Sequence, residues 1–324
     1  MIMSALKAQT FLPLNAKIIV TGASGLIGQN LCLRLKRAGY TNVVGFDKHA
    51  LNTDIFRKIH PDIDCVETDL ATPGKWQEAF KGADIVILNQ AQIGGLFYED
   101  FDRNNVVATR NILEACSGNK PPYIVHISSS VVNSEADDFY TRSKTQQEDI
   151  VKNWKGPYCV LRPTLMFGWF DRKHLGWLRR FMEKVPVFPI PGHGRYVRQP
   201  LYAGDFCKVI MACMEQQPDR EVLDISGQEK INYIDLIRII KKQTGVRTAI
   251  IKIPYSVFYA LLKIAVMLTK TPPFTTAQLE ALIIPEEFPV IDWPNRFNVT
   301  ATPFAEAVKE AYTDPDYSNI TLAF

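Results

Sequence analysis

The chain has 324 residues, of which 47% are hydrophobic and 22% charged, enough apolar content to bury one large core or a core with a smaller lobe. The formal net charge of +3 shows no basic bias toward nucleic acid, so we expect no nucleic-acid partner. The six cysteines lack CxxC spacing and the five histidines are scattered, which predicts reduced thiols, a cytoplasmic protein and no metal site.

The first half of the chain alternates apolar strands with helical segments. Strands are predicted over 17–21, 42–46, 84–88, 123–127 and 158–161, and helices over 26–38, 104–117 and 139–152. This rhythm is typical of a parallel sheet that is covered by helices on both faces. We therefore predict an α/β fold built on a Rossmann doubly wound parallel sheet.

The rhythm changes after Pro163, and prolines and glycines cluster between 186 and 194. We predict an NAD-binding Rossmann domain over 1–164 and a smaller substrate-binding lobe over 165–324. The chain is expected to rejoin the Rossmann sheet near 200–227, through one more strand over 222–225. The most apolar stretch, 250–268, is interrupted by Lys252 and Lys263 and is too short to span a bilayer. We interpret it as a packed helix, with an amphipathic helix on a membrane surface as the alternative.

A glycine-rich turn, TGASGLIG, joins the first predicted strand to the first predicted helix. Gly22 permits a tight turn, Gly25 leaves room for pyrophosphate to approach the backbone, and Gly28 lets the helix pack close to the sheet. The start of a helix presents unpaired N–H groups and the positive end of its dipole to an anion. The residues predicted to surround the phosphates are therefore Gly22, Ser24, Gly25, Leu26, Ile27 and Gly28.

An acidic residue, Asp47, follows the second predicted strand. It stands about twenty residues after the turn, where a carboxylate can accept hydrogen bonds from both ribose hydroxyls of NAD. A 2′-phosphate would meet this negative charge, so NAD is the predicted cofactor and NADP is disfavoured. The neighbouring Lys48 is included among the predicted cofactor-binding residues.

Tyr140 and Lys144 lie four residues apart on a predicted helix, so their side chains share one face. A free tyrosine titrates near ~10 and is a poor base at neutral pH. An adjacent lysine ammonium is expected to lower that pKa, so that Tyr140 can take a proton from a substrate hydroxyl. Three serines follow the strand over 123–127, and a hydroxyl there can hold the substrate oxygen. The predicted catalytic residues are Ser129, Tyr140 and Lys144.

Together these segments resemble the extended short-chain dehydrogenase/reductase family, which includes the NAD-dependent nucleotide-sugar epimerases and dehydratases. The matching segments are TGASGLIG, Asp47, Asp69-Leu70, Asn105-x-x-x-Thr109-x-Asn111, ISSS, YTRSK and LRPT. The resemblance implies that Asp69 and Leu70 frame the adenine and that Ala91 lies beside the cofactor. It implies that Lys144 also holds the nicotinamide ribose. The remaining cofactor-binding residues that it implies are Asn89, Asn105, Tyr140 and Pro163.

The segment RQPLYAGD, led by Arg198, is similar to the family's segment that contacts a substrate diphosphate. Arg195 lies close by, and guanidinium groups suit phosphate oxygens. Ser130 is a further predicted substrate-binding residue, and it is also the alternative to Ser129 as the catalytic serine. These residues favour a nucleoside-diphosphate sugar as the small-molecule substrate.

The sequence departs from the family pattern at several positions. The family's sugar enzymes often carry asparagine where Leu165 falls, and VNS stands here in place of a Val-Tyr-Gly segment. Family dehydratases and decarboxylases place an acidic residue directly after the strand's serine or threonine. Ser130 follows Ser129 here, so the sequence favours hydride chemistry alone.

We therefore predict an NAD-dependent nucleotide-sugar epimerase with Tyr140 as the base. One alternative is an NAD(P)-dependent reductase or dehydrogenase of a hydrophobic or lipid-linked alcohol or ketone. The other is a non-catalytic NAD-binding scaffold, against which the tyrosine–lysine pair argues. The resemblance also implies a homodimer through helices near 101–116 and 139–154. The apolar positions offered there are Val106, Ile112, Leu113 and Ile150.

Overall fold

A computed structural model describes residues 12–135, 137–268, 276–285, 287–289 and 291–323. In chain order the strands are β1 (Ile18–Thr21), β2 (Val43–Asp47), β3 (Asp64–Glu67), β4 (Ile85–Leu88), β5 (Tyr123–Ile127), β6 (Tyr158–Pro163), β7 (Met166–Phe167), β8 (Val187–Pro191), β9 (Val197–Arg198), β10 (Leu201–Tyr202), β11 (Glu221–Ile225), β12 (Ile231–Asn232) and β13 (Ala249–Ile253). Seven of them form one sheet in the spatial order β11-β6-β5-β4-β1-β2-β3. All of its pairings are parallel, which confirms the predicted Rossmann sheet.

The strand order reverses beside β1. The chain adds β2 and β3 on one side of β1, then returns to add β4, β5, β6 and β11 on the other. The carboxyl ends of β1 and β4 meet at this reversal, which is where doubly wound sheets bind their ligands. The strand expected over 222–225 belongs to β11 and pairs with β6, so the chain does return to the sheet.

Helices cover both faces of the sheet. In chain order they are α1 (Leu26–Arg37), α2 (Ala50–Ile59), α3 (Trp76–Phe80), α4 (Tyr98–Phe101), α5 (Ala108–Ala115), α6 (Phe139–Lys152), α7 (His174–Lys184), α8 (Ala203–Gln216), α9 (Tyr233–Thr244), α10 (Tyr255–Leu268), α11 (Thr276–Ile283), α12 (Trp293–Phe297) and α13 (Phe304–Thr313). Val20 packs with Leu31 and Phe206 on one face of the sheet. Ile19 packs with Ile112 on the other face, as the alternation of strand side chains requires.

A further core cluster draws all of its buried residues from after position 164. Ile237 of α9 and Val308 of α13 are fully buried in it, together with Phe188 of β8. Short strand pairs border this cluster, with β13 parallel to β8 and β12 antiparallel to β9. This packing gives the C-terminal part of the chain an apolar core distinct from the two sheet faces.

Two predicted helices differ from the observed ones. Over 104–117, residues Asp102–Val107 form a wider π-helical turn, and α5 begins only at Ala108. Over 250–268, β13 takes the β-branched residues first and α10 begins at Tyr255. The predicted packing of the helix holds for one side of α10, where Phe258 and Leu262 are half-buried, whereas Leu261 and Ile264 on the other side are about half exposed. Within the described ranges, no helix has the length and apolarity needed to cross a bilayer.

Candidate active site

The glycine-rich turn between β1 and α1 depends on three missing side chains. Gly22 has φ +61°, and a Cβ there would lie 2.9 Å from the Asn89 carbonyl oxygen. A Cβ at Gly28 would lie 2.3 Å from the Gly22 carbonyl oxygen, so the helix packs directly on the turn. At Gly25 the nearest atom would be that same oxygen at 3.3 Å, a tight contact but a much less severe one than at Gly28. The arrangement supports the separate roles predicted for the three glycines.

The start of α1 presents unused hydrogen-bond donors. Gly25 stands at the N-cap position and provides no side-chain cap for the first turn, which begins with Leu26 and Ile27. The Ser24 hydroxyl is buried and has no hydrogen-bond partner among the described residues. A helix start of this kind attracts anions through its N–H groups and dipole. These residues fit the pyrophosphate of a dinucleotide, which would accept hydrogen bonds from Ser24 and from the backbone.

Asp47 ends β2 beside the same turn. One carboxylate oxygen accepts a hydrogen bond from the Ser24 backbone N–H at 3.0 Å, and the other accepts from the His49 N–H at 3.1 Å. The Lys48 ammonium donates to the Asn104 side chain at 2.7 Å. The structure therefore holds the Asp47 carboxylate at the glycine-rich turn over 21–28, named the phosphate turn below for its predicted ligand, and directs the adjacent lysine to the π-helical segment.

Asp69 and Leu70 follow β3, at the same edge of the sheet. Arg103 donates to the Asp69 carboxylate at 2.6 Å. Burial alone would raise the pKa of Asp69, but hydrogen bonds from Arg103 and from the Ala71 N–H lower it below its usual range. Leu70 is buried in the core beneath. Asp69 therefore remains ionised at neutral pH and is tied to the π-helical segment by its ion pair.

Hydrogen bonds from two asparagines, Asn89 and Asn105, hold the loop after β4 in place. The Asn89 amide donates to the Gly22 carbonyl at 3.0 Å. Asn105 accepts from the Gln92 backbone N–H at 2.6 Å and donates to the Ser143 hydroxyl of α6 at 2.9 Å. Ala91, between these two anchors, is exposed. Asn105 therefore joins the π-helical turn, the loop and α6, which the wider turn allows it to reach.

The structure separates the roles of the serines that follow β5. Ser128 donates to the Glu148 carboxylate at 2.7 Å, so its hydroxyl belongs to a buried ion-pair cluster. Ser129 hydrogen-bonds the Tyr140 hydroxyl. Ser130 begins a short 3-10 turn over Ser130–Asn133 and is half-buried. Of the three, Ser129 is therefore the one paired with the predicted base.

The pKa of Tyr140 does not follow the expectation drawn from sequence. Burial raises it above its ordinary value, the hydrogen bond with Ser129 lowers it in part, and the charge on Asp138 raises it. The predicted lowering by Lys144 is wrong for this structure, since the lysine ammonium bonds elsewhere. A positive charge brought next to Tyr140 would favour the phenolate.

Lys144 is fully buried on α6. Its ammonium donates to the Ile127 carbonyl at 2.8 Å and to the Gln147 side-chain oxygen at 2.5 Å. Burial lowers the pKa of Lys144 to about 7, and the nearby Glu148 charge offsets this only in part. The lysine is thereby fixed directly behind the end of β5, one helical turn from Tyr140.

A buried chain of hydrogen bonds joins this lysine to the phosphate turn, and the sequence analysis missed it. Gln147 donates to the Thr109 hydroxyl at 2.9 Å, and Gln90 donates to the same hydroxyl at 3.0 Å. Gln90 in turn bonds the Thr21 hydroxyl at the end of β1. The one available signal was the position of Gln147, three residues after Lys144 on the same helix face. The partners on β1, on α5 and in the loop after β4 come from distant parts of the chain.

The predicted substrate-binding arginines occupy different environments. Arg195 is exposed, whereas Arg198 is buried at the end of β9. The Arg198 guanidinium donates to the Ile284 carbonyl at 2.9 Å and to the Leu282 carbonyl. It therefore binds the end of α11, and a substrate diphosphate would share or replace these contacts.

Pro163, which the resemblance places among the cofactor-binding residues, is buried at the end of β6.

The helices expected at a dimer interface keep their apolar residues inside the chain. Ile112 and Leu113 are buried against the sheet, and Val106 is also buried. Ile150 packs partly against the same core. These residues therefore support the fold of one chain, and they offer no independent support for a dimer.

Comparison with known proteins gives consistent matches. Residues 18–226 match the model of the NAD-dependent epimerase/dehydratase family. The chain is 23% identical over 239 residues to a ceramide reductase of Caulobacter vibrioides, covering 73% of each. It is 24% identical over 262 residues to an uncharacterised UDP-glucose epimerase of Bacillus subtilis, covering 71% of this chain and 82% of that one. A crystal structure of UDP-glucuronic acid 4-epimerase from Bacillus cereus with NAD shares the fold, with a TM-score of 0.69, 22% identity and coverage of 92% and 97%.

Proposed function

The chain belongs to the NAD-dependent epimerase/dehydratase family, and we propose that it is an NAD-dependent epimerase of a nucleotide-linked sugar. The observation that carries this proposal is the hydrogen bond between Ser129 and Tyr140, with Lys144 buried one helical turn away. The hydrogen-bond chain from Lys144 through Gln147 ends at the glycine-rich turn, whose free donors fit a dinucleotide. A proton-transferring group and a cofactor site thus share one rigid framework.

In the proposed reaction, Tyr140 takes the proton of a sugar hydroxyl while the C–H bond at the same carbon breaks. NAD, held at the glycine-rich turn, would supply the acceptor and later the donor of that hydride. Ser129 holds the hydroxyl oxygen against Tyr140. Burial raises the pKa of Tyr140, so the phenolate would need a neighbouring positive charge. Lys144 could supply it only by turning its ammonium from the Ile127 carbonyl and Gln147 toward Tyr140. Tyr140 then gives the proton back after the sugar has presented its other face.

We further propose NAD rather than NADP as the cofactor. The Asp47 carboxylate is fixed at the phosphate turn by the Ser24 backbone N–H, where it can accept the ribose hydroxyls. A 2′-phosphate would place a second negative charge beside it. The neighbouring Lys48 directs its ammonium to the Asn104 side chain and forms no ion pair with Asp47 among the described residues. Comparing the affinities for NAD and NADP tests the preference directly.

A nucleoside-diphosphate sugar is the proposed substrate. Arg195 and Arg198 lie in the segment that resembles the family's diphosphate contact, and Arg195 is exposed. A curated relative is named a UDP-glucose epimerase, and the similar fold of a UDP-glucuronic acid 4-epimerase supports the same substrate class. Ser130 follows Ser129 where an acid would be needed for dehydration. This leaves hydride chemistry at a hydroxyl carbon, either inversion by an epimerase or net transfer by a reductase.

The proposal is tested by incubating the NAD-saturated protein with UDP-, GDP- and dTDP-hexoses in turn and following the products by proton NMR. We expect one of them to be converted to its epimer with no net change in NADH absorbance. Tyr140→Phe should form no detectable epimer and should bind NAD as the wild type does. If the protein converts none of these sugars, the substrate assignment is wrong.

A second candidate function, reduction of an apolar ketone, is favoured by the surroundings of the site. The Arg198 guanidinium is already bonded to backbone carbonyls of α11. Leu96 and Phe97, in the loop after β4, are 85% and 65% exposed, and a curated relative is named a ceramide reductase. A thermal-shift screen with NAD separates the candidates, because a ligand that binds the native state raises its melting temperature. Stabilisation by a nucleoside diphosphate supports the epimerase, and stabilisation by a long-chain alcohol supports the reductase.

We propose a homodimer in the cytoplasm as the working form. The resemblance to the family carries the assembly, and the described cysteines, all buried and free, suit a reducing compartment. Light scattering on the NAD-bound protein at micromolar concentration should give twice the chain mass. A single-chain mass would remove the dimer from the proposal without affecting the chemistry.

A further inference from the structure

A buried ion pair lies behind the serines that follow β5. The Glu148 side chain on α6 has no exposed surface, and it follows Lys144 by one helical turn. Arg162, on β6, donates from Nε to one carboxylate oxygen at 2.9 Å and from Nη2 to the other. Burial alone would raise the pKa of Glu148, but hydrogen bonds from Arg162, Lys152 and Ser128 lower it to about 2. Glu148 therefore stays ionised inside the protein at neutral pH.

This ion pair holds the residue just before Ser129. The Ser128 hydroxyl donates to the Glu148 carboxylate at 2.7 Å, and the Ser128 backbone N–H donates to the Leu161 carbonyl of β6 at 2.8 Å. Ser128 is thus tied to α6 by its side chain and to β6 by its backbone. Because the peptide bond is planar, the position of Ser128 limits where the Ser129 hydroxyl can lie.

The same ion pair holds the segment just after Ser129. The Val131 N–H of the short 3-10 turn donates to the Ser129 hydroxyl at 3.4 Å. Asn133, which ends this turn, accepts from Nη1 of Arg162 at 2.7 Å. Asn133 also belongs to the VNS segment, where the sequence departs from the family's Val-Tyr-Gly. Its side-chain amide therefore attaches the turn to the guanidinium that binds Glu148.

Tyr140 lies on the helix that carries the acidic partner. Glu148 follows it by about two helical turns on α6, whereas Ser129 follows β5. The hydrogen bond between Ser129 and Tyr140 therefore joins two different elements. The ion pair joins the same elements at a second point, so the helix and the end of the strand cannot shift past each other without breaking it.

Stability alone gives little reason for an ion pair in this position. Removing two charges from water costs free energy that their attraction often only repays, and apolar residues of similar size can replace such pairs without loss of stability. The pair has a clearer use in geometry, because proton transfer tolerates little displacement of the reacting groups.

The groups around the pair leave it electrically balanced. Two carboxylates face two basic groups, and these are Glu148, Asp224, Arg162 and Lys152. His126, which is fully buried on β5 beside them, has a pKa that burial lowers well below its ordinary value, so it stays neutral. The cluster can therefore remain buried and fixed in place over the neutral pH range.

We propose that Glu148 and Arg162 are positioning residues, which hold Ser129 against Tyr140 through Ser128 and Asn133. The inference rests on the proposed function, in which Ser129 and Tyr140 handle the substrate hydroxyl. The positioning residues act through Ser129 rather than on the substrate itself. Their loss should therefore change the chemistry of Tyr140 more than the binding of substrate.

The first test needs no substrate. In protein labelled with ¹³C at the tyrosine Cζ atoms, the chemical shifts report on hydrogen bonding of the hydroxyls, and Tyr140→Phe identifies the Tyr140 resonance. Ser129→Ala deletes the direct bond and sets the full change in shift. Ser128→Ala and Asn133→Ala should each move the Tyr140 resonance in the same direction by a large part of that change. Ser128→Thr keeps the hydroxyl and should leave the resonance near its wild-type position.

Asn153→Ala is the matched control. Asn153 is an exposed asparagine at the C-terminal end of α6, and its amide donates to the Asp149 carbonyl at 2.8 Å. This variant should leave the Tyr140 resonance where it is. If Ser128→Ala and Asn133→Ala move that resonance no more than the control does, the proposal is overturned. A lower melting temperature in those two variants would then show that the ion pair only stabilises the fold.

The second test is turnover of the sugar that the wild type converts. Ser128→Ala and Asn133→Ala should each reduce kcat about tenfold with KM nearly unchanged, because small displacements of reacting groups slow the chemical step. Ser128→Thr should recover most of the lost kcat. A rise in KM with unchanged kcat would contradict the positioning role. If the wild type converts no sugar, the proposed reaction fails, and the Tyr140 resonance still decides whether the ion pair positions Ser129.

Discussion

The N-terminal sheet and the C-terminal lobe differ in how their polar side chains are held. In the first, Lys144, Gln147 and Thr109 are buried and joined in one hydrogen-bonded chain that ends at the phosphate turn. In the second, Arg195 is exposed and Arg198 bonds the backbone of a separate helix. The sheet holds its groups through strands and long helices, whereas the lobe holds them on two-residue strands and turns.

Under the proposed function, this difference assigns a separate part of the reaction to each region. Proton and hydride transfer tolerate little displacement of the reacting groups, which a rigid sheet edge provides. Recognition of a substrate group can be carried by loops and short strands, since these can change their partners. We therefore expect changes near Tyr140 to affect turnover and changes near Arg198 to affect binding.

The largest effect should come from removing the base. Tyr140→Phe keeps the ring but deletes the hydroxyl that bonds Ser129. Loss of a general acid–base group reduces turnover by about 10²–10⁴-fold. NAD affinity, measured by calorimetry, should stay the same because the phosphate turn is untouched. Tyr317→Phe, at the far C-terminal end, is the control and should keep full turnover. Wild-type turnover in Tyr140→Phe would remove the catalytic assignment.

The pH dependence of the free energy of unfolding tests whether Lys144 is buried with a lowered pKa. Burial lowers the pKa of Lys144 from 10.5 to about 7, so between those values the unfolded chain binds one more proton than the folded chain. This group then makes the free energy of unfolding rise with pH by about 1.4 kcal/mol per unit in that window. Lys144→Met should remove the rise and should be more stable than wild type near pH 7.

Urea unfolding of NAD-free protein at several pH values within that window measures both effects. Other titrating groups are common to the two proteins, so the difference between their curves isolates Lys144. If the free energy of unfolding changes with pH in the same way for the wild type and Lys144→Met, the lysine keeps its ordinary pKa. Burial of Lys144 would then carry no cost in stability.

Two glycines of the phosphate turn should respond differently to the same methyl group. A Cβ at Gly28 meets the Gly22 carbonyl at 2.3 Å, so Gly28→Ala should destabilise the fold by about 1–3 kcal/mol. A Cβ at Gly25 meets the same carbonyl oxygen at 3.3 Å, so Gly25→Ala should cost less stability than Gly28→Ala and should lose NAD affinity. Gly118→Ala, where a Cβ meets nothing within 4 Å, is the control. If Gly25→Ala binds NAD normally, the phosphates lie elsewhere.

The smallest effect, confined to the lobe, should come from the arginines. Charge-assisted hydrogen bonds are worth about 1.5–3 kcal/mol, so Arg198→Ala should weaken nucleotide-sugar binding about tenfold or more. It should also lower the melting temperature, because the Leu282 and Ile284 carbonyls lose their donor. Arg195→Ala should weaken binding without any change in melting temperature. Unchanged substrate affinity in Arg198→Ala would reduce this arginine to a structural role and favour the reductase.

The sequence predicts the sheet well because its signals are local. A serine-ended strand and a helix over 139–152 could be drawn from apolar pattern and spacing alone, and α6 spans Phe139–Lys152. The glycine-rich turn is likewise visible, since each glycine has a role within a few residues of the others.

Features set by distant contacts could not be predicted in this way. The bond from Arg198 to Leu282 joins positions 84 residues apart, and the burial that raises the pKa of Tyr140 comes from the assembled fold. The exposure of Leu261 depends on which of the described elements pack against α10, and no local pattern encodes that. The lobe is therefore where sequence and structure differ most.

The central claim, that a hydride leaves the sugar and returns to it, has one direct measurement. A nucleotide-linked hexose carrying deuterium on the inverting hydroxyl carbon is incubated with the protein and unlabelled NAD, and the product is analysed by mass spectrometry. An epimerase with Tyr140 as its base returns the label, so the epimer should keep the substrate's mass and no reduced cofactor should accumulate. Loss of deuterium from the sugar, with equimolar labelled NADH and a ketone product, would contradict the account and identify a dehydrogenase.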